Sequence, residues 1–133
     1  MDSSIIDLSR YRFGCSVEAL EDAKIMFGNG RYKNALNRAY YSIFYAIRSV
    51  NALDGYDSSK HSGVIAHFNQ EYVKNNIFDR EASKIIKKAS ESRERADYLD
   101  FFVASREETK QQIERAEIFQ SWIKEYLNEN NIL

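Results

Sequence analysis

Residues 32–53 of the sequence, Y-K-N-A-L-N-R-A-Y-Y-S-I-F-Y-A-I-R-S-V-N-A-L, carry one of its two longest helical patterns. On a helix of about 3.6 residues per turn, one face is apolar and consists of Tyr32, Leu36, Ala39, Tyr40, Ile43, Ile47 and Val50. A second stripe, on nearly the opposite side, combines amide, guanidinium and phenol groups: Asn34, Asn37, Arg38, Tyr41, Tyr45 and Arg48. Aromatic residues on both sides are typical of a helix at the centre of a bundle, or of one shared between the core and a partner. This stretch therefore predicts an all-α protein organised around one helix.

The composition of the chain agrees with an all-α fold. Its 133 residues are enough for one domain with a hydrophobic core, and 44% of them are hydrophobic. The chain has no proline and only five glycines, which suits long helices better than a β protein with many turns. We predict a single domain over residues 1–133, with a core at about 11–128, an N-terminal arm at 1–10 and a frayed C-terminus at 129–133.

Hydrophobic periodicity and helix-end signals predict four further helices. They lie at about Tyr11–Phe27, His61–Lys74, Asp79–Tyr98 and Ser105–Asn128. The last of them begins with a capping box, in which Ser105 and Glu108 satisfy each other's backbone amides. The sequence thus predicts a bundle of about five helices.

A candidate functional residue lies in Ser92–Tyr98, S-R-E-R-A-D-Y, at the end of the fourth predicted helix. Arg93 falls in the middle of the apolar face of that helix, and Asp97 follows one turn later, within its reach. A guanidinium on the core side of a helix is costly unless it is paired or lines a cleft. Two interpretations stay open: a structural Arg93–Asp97 ion pair, or an arginine at the floor of a polar cleft.

The second stripe of the central helix supplies candidate binding residues. Asparagine and arginine interleaved with tyrosine suit a groove for RNA or a nucleotide, where bases stack on rings and phosphates meet guanidinium groups. The candidates are Asn37, Arg38, Tyr41 and Tyr45. Plain packing, with the tyrosine hydroxyls at the rim of the core, is the alternative.

His61, at the predicted start of the third helix, is a candidate for proton transfer near neutral pH. The alternative is a hydrogen bond at the helix start. His67 follows six residues later, but no cysteine or carboxylate completes a ligand set, so we expect no metal site. The sequence contains no phosphate loop, nucleophile elbow or dinucleotide fingerprint, and we expect no cofactor.

Charge and cysteine content bear on location and partners. The 19 basic and 20 acidic residues give a formal net charge of −1, so the overall charge is no evidence for nucleic-acid binding, although a local patch is compatible with it. Cys15 is the only cysteine, and together with the absence of a signal peptide this predicts a cytoplasmic protein. No apolar run approaches the roughly 20 residues of a membrane span, so we expect no membrane association.

Three segments of the chain resemble the HEPN domain family of prokaryotes. They are R-Y-K-N-A-L-N-R-A-Y-Y-S-I-F-Y-A at Arg31–Ala46, S-K-H-S-G-V-I-A-H-F at Ser59–Phe68 and R-E-R-A-D-Y at Arg93–Tyr98, and the resemblance covers about residues 19–126. It implies an up-down bundle of four or five helices that pairs into a homodimer. Many members are ribonuclease toxins encoded beside a minimal nucleotidyltransferase antitoxin. In those members an arginine, followed four to six residues later by a histidine, lies at the dimer cleft near a polar residue of the second helix.

The match transfers the family's arginine to Arg93, but no histidine follows at the family's distance. Asp97 and Tyr98 stand where the motif would continue, and neither a carboxylate nor a phenol titrates near neutral pH without a large perturbation. The catalytic candidates are therefore Arg93, Asp97, Tyr98 and His61.

Three functions stay open. The first is a metal-independent endoribonuclease, or a degenerate relative that still binds RNA, as the toxin-like member of a pair with a nucleotidyltransferase. Arg93 would then stabilise the phosphate, while residues of the second stripe position the strand. The second is a non-catalytic helical module that binds a nucleotide or a nucleotidyltransferase-type antitoxin. The third is a dimeric scaffold in which the Arg93–Asp97 pair is structural.

Overall fold

The structure, a computed structural model, describes all 133 residues as five α-helices without a β-strand. The all-α fold predicted from the sequence is confirmed. A short 3₁₀ turn follows the second helix, and a π turn at Asn69–Val73 follows the third. The five helices are α1 (Ser3–Gly28), α2 (Tyr32–Asn51), α3 (His61–Phe68), α4 (Glu81–Tyr98) and α5 (Arg106–Glu129).

Helix α2 is the centre of the bundle, as its two faces predicted. It packs against all four other helices, and 12 of its 20 residues are buried, so only a narrow stripe reaches solvent. That stripe is the polar one found in the sequence: Asn34 is exposed, and Asn37, Arg38, Tyr41, Tyr45 and Arg48 are half-buried. The central position of α2 therefore brings the candidate binding residues to the surface on one rigid element.

Helix α1 lies against α2 through small polar side chains. The hydroxyl of Ser9 donates to the backbone carbonyl of Ser49 at 2.7 Å, and the hydroxyl of Ser16 donates to the backbone carbonyl of Ser42 at 2.6 Å. These serines are fully buried, and their hydrogen bonds offset the cost of placing hydroxyls in the interior. Two such bonds, two turns of α1 apart, set how α1 lies along α2.

Aromatic packing joins α3 and the π turn to α5. The ring of Phe68 lies 5.6 Å from Tyr72, 5.3 Å from Phe78 and 5.9 Å from Phe119, measured between centroids. Phe68 and Phe119 are fully buried. Burial of each such side chain contributes about 1.5–3 kcal/mol, so this group fixes α3 and the π turn against α5.

Both chain ends differ from the prediction. Residues 3–10 are helical and not an arm, because the carboxylate of Asp2 caps α1 by accepting a hydrogen bond from the backbone N–H of Ser4 at 2.8 Å, while Ser9 anchors the helix on α2. The C-terminus is not frayed either. Ile132 is 1% exposed, and its backbone N–H donates to the carbonyl of Leu127 at 2.8 Å.

The third helix is also shorter than predicted, since α3 ends at Phe68 and the chain widens into the π turn before it reaches Lys74. The start of α5 agrees with its capping signal, because Ser105 Oγ accepts a hydrogen bond from the N–H of Glu108 at 3.0 Å. None of the five helices combines the length and the apolar character that a membrane span requires.

Candidate functional site

Arg93 lies on α4, in the contact between α4 and α2. Its guanidinium carbon is 4.5 Å from the ring centroid of Tyr40, which is within cation–π distance. The side chain is 14% exposed, and its Nε is buried without a hydrogen-bond partner. Because a guanidinium has five N–H donors, Arg93 retains the capacity to bind an added anion such as phosphate.

Asp97 connects Arg93 to the polar stripe of α2. Its Oδ2 lies 3.5 Å from Nη1 of Arg93 and accepts a hydrogen bond from Nδ2 of Asn37 at 3.3 Å. The Oδ1 of Asn37 accepts two hydrogen bonds from Arg38, at 2.9 and 3.1 Å. The guanidinium carbon of Arg38 in turn lies 5.0 Å from the ring centroid of Tyr41. Two guanidinium groups, an amide and a carboxylate thus form one connected row.

The imidazole of His61 completes this group from the start of α3. Its Nδ1 lies 2.9 Å from the hydroxyl oxygen of Tyr40, and its ring stacks on Phe44 with centroids 4.1 Å apart. It meets the ring of Tyr41 edge to face at 5.7 Å. Tyr40 therefore contacts Arg93 with its ring and His61 with its hydroxyl. We call the seven residues that these contacts join the Arg93 cluster: Arg93, Tyr40, His61, Asp97, Asn37, Arg38 and Tyr41.

Burial is the main cause of the altered pKa values in the Arg93 cluster. Burial lowers the pKa of His61 below its ordinary value, and the positive charges of Arg93 and Arg48 lower it further. Burial also raises the pKa of Tyr40 to about 12, against the opposing effect of Arg93. His61 is therefore neutral and Tyr40 protonated at neutral pH. A neutral imidazole has a nitrogen that accepts a proton, which is the property required of a general base.

The structure brings most of the sequence-predicted site residues together, but it separates two of them from the cluster. Tyr98 is 73% exposed and lies in a shallow depression beside Arg95 and Leu99, because five residues turn a helix by about 140° relative to Arg93. The ring of Tyr45 lies 5.7 Å from that of Tyr41, at the side of the cluster that faces α1. The predicted residues that lie within the cluster are Arg93, Asp97, His61, Asn37, Arg38 and Tyr41.

Sequence reasoning missed the role of Tyr40, which it placed only on the apolar core face. Tyr40 is indeed buried, at 2% exposure. One signal was available, since a buried tyrosine hydroxyl normally requires a hydrogen-bond partner. That partner, His61, is 21 residues away in sequence, on another helix.

A second charged group, also missed, joins α1 to the loop that precedes α3. Arg12 is buried and donates from Nη1 to the carbonyl of Arg48 at 3.2 Å and from Nη2 to Asp57 at 3.1 Å. Arg48 donates from Nη2 to both carboxylate oxygens of Asp57 at 3.2 Å, while its Nε is buried without a partner. Burial opposes ionisation of Asp57. The backbone N–H of Ser58 and the charges of Arg48 and Arg12 outweigh that effect and hold the pKa of Asp57 below its usual range.

A cavity of about 420 Å³ lies between α1 and α2 beside this second group. Arg38 and Tyr45 also line it, so the cavity adjoins the Arg93 cluster. Its wall contains three arginines, two tyrosines and two carboxylates: Arg12, Arg38, Arg48, Tyr11, Tyr45, Glu18 and Asp22.

The fold and the cluster together define an all-helical bundle protein in which an arginine and a histidine contact one buried tyrosine of the central helix. Comparison with known proteins gives the family. Residues 13–126 match the model of the HEPN domain. A UPF0332 protein of Thermotoga maritima is 36% identical over 112 residues, which cover 84% of this chain and 85% of that protein.

Two proteins of Methanocaldococcus jannaschii are similar as well. The one named "Putative toxin MJ0142" is 32% identical over 116 residues, which cover 87% of this chain and 79% of that protein. The one named "Putative toxin MJ0605" is 35% identical over 112 residues, covering 84% and 83%. The chain therefore belongs to the HEPN domain family, as its three segments indicated.

Proposed function

We propose that this protein is a toxin-type HEPN protein that binds RNA and cleaves it without a metal ion, at a site formed by Arg93 and His61. The observation that carries the proposal is the contact of both residues with one tyrosine. The guanidinium carbon of Arg93 lies 4.5 Å from the ring centroid of Tyr40, and the imidazole of His61 lies 2.9 Å from its hydroxyl. The names of the two Methanocaldococcus relatives support the toxin part of the proposal.

Cleavage of an RNA phosphodiester needs a base and a group that stabilises negative charge. In the tautomer in which Nδ1–H of His61 donates to the hydroxyl oxygen of Tyr40, the free Nε2 accepts the proton of a 2′-hydroxyl, whose oxygen then attacks the adjacent phosphorus. The bond from phosphorus to the 5′-oxygen breaks, the imidazolium returns its proton to that oxygen, and a 2′,3′-cyclic phosphate remains. Arg93 donates hydrogen bonds to the phosphate oxygens as their negative charge increases. No step of this sequence requires a metal ion.

The same arrangement accounts for the missing motif histidine. His61 supplies the imidazole for proton transfer from the start of α3, so the residues that follow Arg93 do not need to include a histidine. Asp97 uses its position to accept a hydrogen bond from Asn37 at 3.3 Å, which orients the polar stripe of α2.

A second candidate function is RNA or nucleotide binding without cleavage at the same place. The position of Asp97 favours it, because a carboxylate 3.5 Å from Arg93 reduces the positive charge that an incoming phosphate meets. In that case the cluster residues serve recognition alone.

We also propose a homodimer, with the polar stripe of α2 at or near its two-fold axis, and a nucleotidyltransferase-type antitoxin as partner. Tyr41 is only half-buried in the monomer, and its ring meets those of Tyr40 and Phe44 edge to face, which gives aromatic surface that a second copy would cover. Sedimentation at micromolar concentration tests the dimer, and a purely monomeric protein contradicts it.

RNA cleavage in the presence of EDTA tests the catalytic proposal. The wild-type protein should shorten single-stranded RNA, and His61→Ala and Arg93→Lys should each slow the cleavage by about 100-fold or more. His67→Ala is the matched control, because His67 is the other histidine of the chain and pairs with Asp54 at 3.0 Å. Cleavage that persists at the wild-type rate in His61→Ala contradicts the proposal, while wild-type binding without cleavage supports the second candidate.

A further inference from the structure

The cavity between α1 and α2 has the size of a ligand site. Its volume is about 420 Å³, and small-molecule sites span roughly 300–1,000 Å³. Arg38 belongs to its wall and also to the Arg93 cluster, where it donates to Asn37. A ligand bound at the Arg93 cluster can therefore extend past Arg38 into the cavity.

Arg12 and Arg48 form the cationic end of the cavity. A single carboxylate, Asp57, pairs with both guanidinium groups, at 3.1 and 3.2 Å, which leaves a net positive charge. Arg48 donates hydrogen bonds through Nη2 alone, which leaves the N–H donors of its Nη1 without a partner in the protein. An arginine pair with unused N–H donors, held in place by a carboxylate, suits the oxygens of a phosphate group.

Glu18 and Asp22, one turn apart on α1, form the acidic end of the cavity. Neither takes part in any of the ion pairs of the chain. A carboxylate accepts hydrogen bonds from the exocyclic amino group of a nucleobase, while tyrosine rings such as that of Tyr45 provide stacking surface. The wall of the cavity thus offers partners for a phosphate, a ring and an amino group.

We propose that this cavity binds one nucleotide unit of an RNA strand, with its phosphate at Arg12 and Arg48, its base beside Tyr45, and an exocyclic amino group at Glu18 or Asp22. The inference rests on the proposed RNA-binding function and adds a base-selective contact to it. Adenine, cytosine and guanine carry an exocyclic amino group and uracil does not. The cavity therefore selects against uridine.

The spacing along α2 sets a minimum ligand length. Arg38 and Arg48 are ten residues apart on this helix, which corresponds to about 15 Å along its axis. An RNA strand that contacts both Arg38 and Arg48 therefore contains more than one nucleotide.

Binding of 2′-O-methyl tetranucleotides tests the inference, since these lack the hydroxyl that cleavage requires. Fluorescence anisotropy should show that the adenosine and cytidine tetranucleotides bind about tenfold more tightly than the uridine one. This comparison uses the wild-type chain, so it does not depend on the folding of any variant. Replacing Glu18 and Asp22 together by alanine should remove the preference.

Arg48→Gln should weaken the binding of all three tetranucleotides about tenfold and reduce the slope of log K against log salt by about 0.7. Lys24→Gln is the matched control, because it removes one positive charge from α1 at an exposed position that pairs with Glu117, outside the cavity. Its affinities should match those of the wild type.

The outcomes separate this inference from the proposed function. Equal affinity for the three tetranucleotides, together with a loss of binding in Arg93→Lys, overturns the inference and leaves the proposed function standing. Suppose that the wild type prefers the adenosine and cytidine tetranucleotides and that Arg48→Gln weakens binding, while Arg93→Lys leaves the affinity unchanged. This result supports nucleotide binding in the cavity and overturns the proposed function. No binding of any tetranucleotide at micromolar concentration overturns both.

Discussion

Replacing Arg93 by alanine distinguishes a functional arginine from a structural one, because the two interpretations give different free energies of unfolding. Arg93 makes one cation–π contact with Tyr40 and one long contact with Asp97, at 3.5 Å. Such contacts contribute about 0.5–2 and about 0–1 kcal/mol. Alanine also removes a buried Nε that has no partner, which offsets part of the loss. We expect Arg93→Ala to lower the free energy of unfolding by less than about 2 kcal/mol.

Breaking a structural buried ion pair costs more, about 3–5 kcal/mol. Urea denaturation at neutral pH measures the loss in the free energy of unfolding and so distinguishes a functional Arg93 from a structural one. Arg95→Ala is the control, because Arg95 lies on the same helix and pairs with Glu108 outside the Arg93 cluster. That variant should lose about 0–1 kcal/mol.

The Arg93→Ala variant should lose RNA affinity while it stays folded. A charge-assisted hydrogen bond contributes about 1.5–3 kcal/mol, so Arg93→Ala should weaken the binding of a 2′-O-methyl oligonucleotide about 10- to 150-fold. Fluorescence anisotropy measures this change. A loss of stability near 3–5 kcal/mol, or an unchanged affinity in a folded Arg93→Ala protein, would refute the reasoning.

Three further predictions concern single side chains. Because the folded protein lowers the pKa of His61, the free energy of unfolding should fall as pH drops below about 6.5, the pKa of histidine in the unfolded chain. His61→Gln should remove this pH dependence from the free energies measured by urea denaturation, and an unchanged pH dependence would contradict the lowered pKa. Tyr40→Phe keeps the ring beside Arg93 but removes the hydroxyl that contacts His61. The free energy of unfolding should fall by about 0.5–1.5 kcal/mol, and RNA cleavage should be slower at unchanged RNA affinity. An unchanged cleavage rate would show that the Tyr40 hydroxyl has no part in the reaction. Phe101 is fully exposed with a φ of 61°, so Phe101→Gly should raise the melting temperature through a gain of about 0.5–1 kcal/mol; a decrease would show that the ring has a packing role.

The sequence was sufficient for the long helices, because their periodicity is a local property. The apolar face of α2 and the capping box of α5 gave positions close to the observed ones. The start of α1 was missed because its first residues show little periodicity. They are helical because Asp2 caps them and because Ser9 and Arg12 hydrogen-bond to α2.

The candidate site was only partly accessible from the sequence. Arg93 stood out as a charge on an apolar face, and Asp97 followed at helical spacing. The link from Arg93 through Tyr40 to His61 could not be derived, since it depends on how α3 docks on α2. Asp57 was missed for a similar reason: it lies in a turn-rich loop, and only the fold brings it to Arg12.

The central claim is that Arg93 and His61 act on RNA as one site, and a double-mutant cycle on the rate of RNA cleavage tests it most directly. The measurement compares kcat/KM for the wild type, Arg93→Lys, His61→Gln and the double variant, in EDTA. Residues that act in the same step are not additive, so the double variant should lose about as much activity as the more damaged single variant. Losses that multiply, or a wild-type protein that leaves RNA intact, would contradict the account.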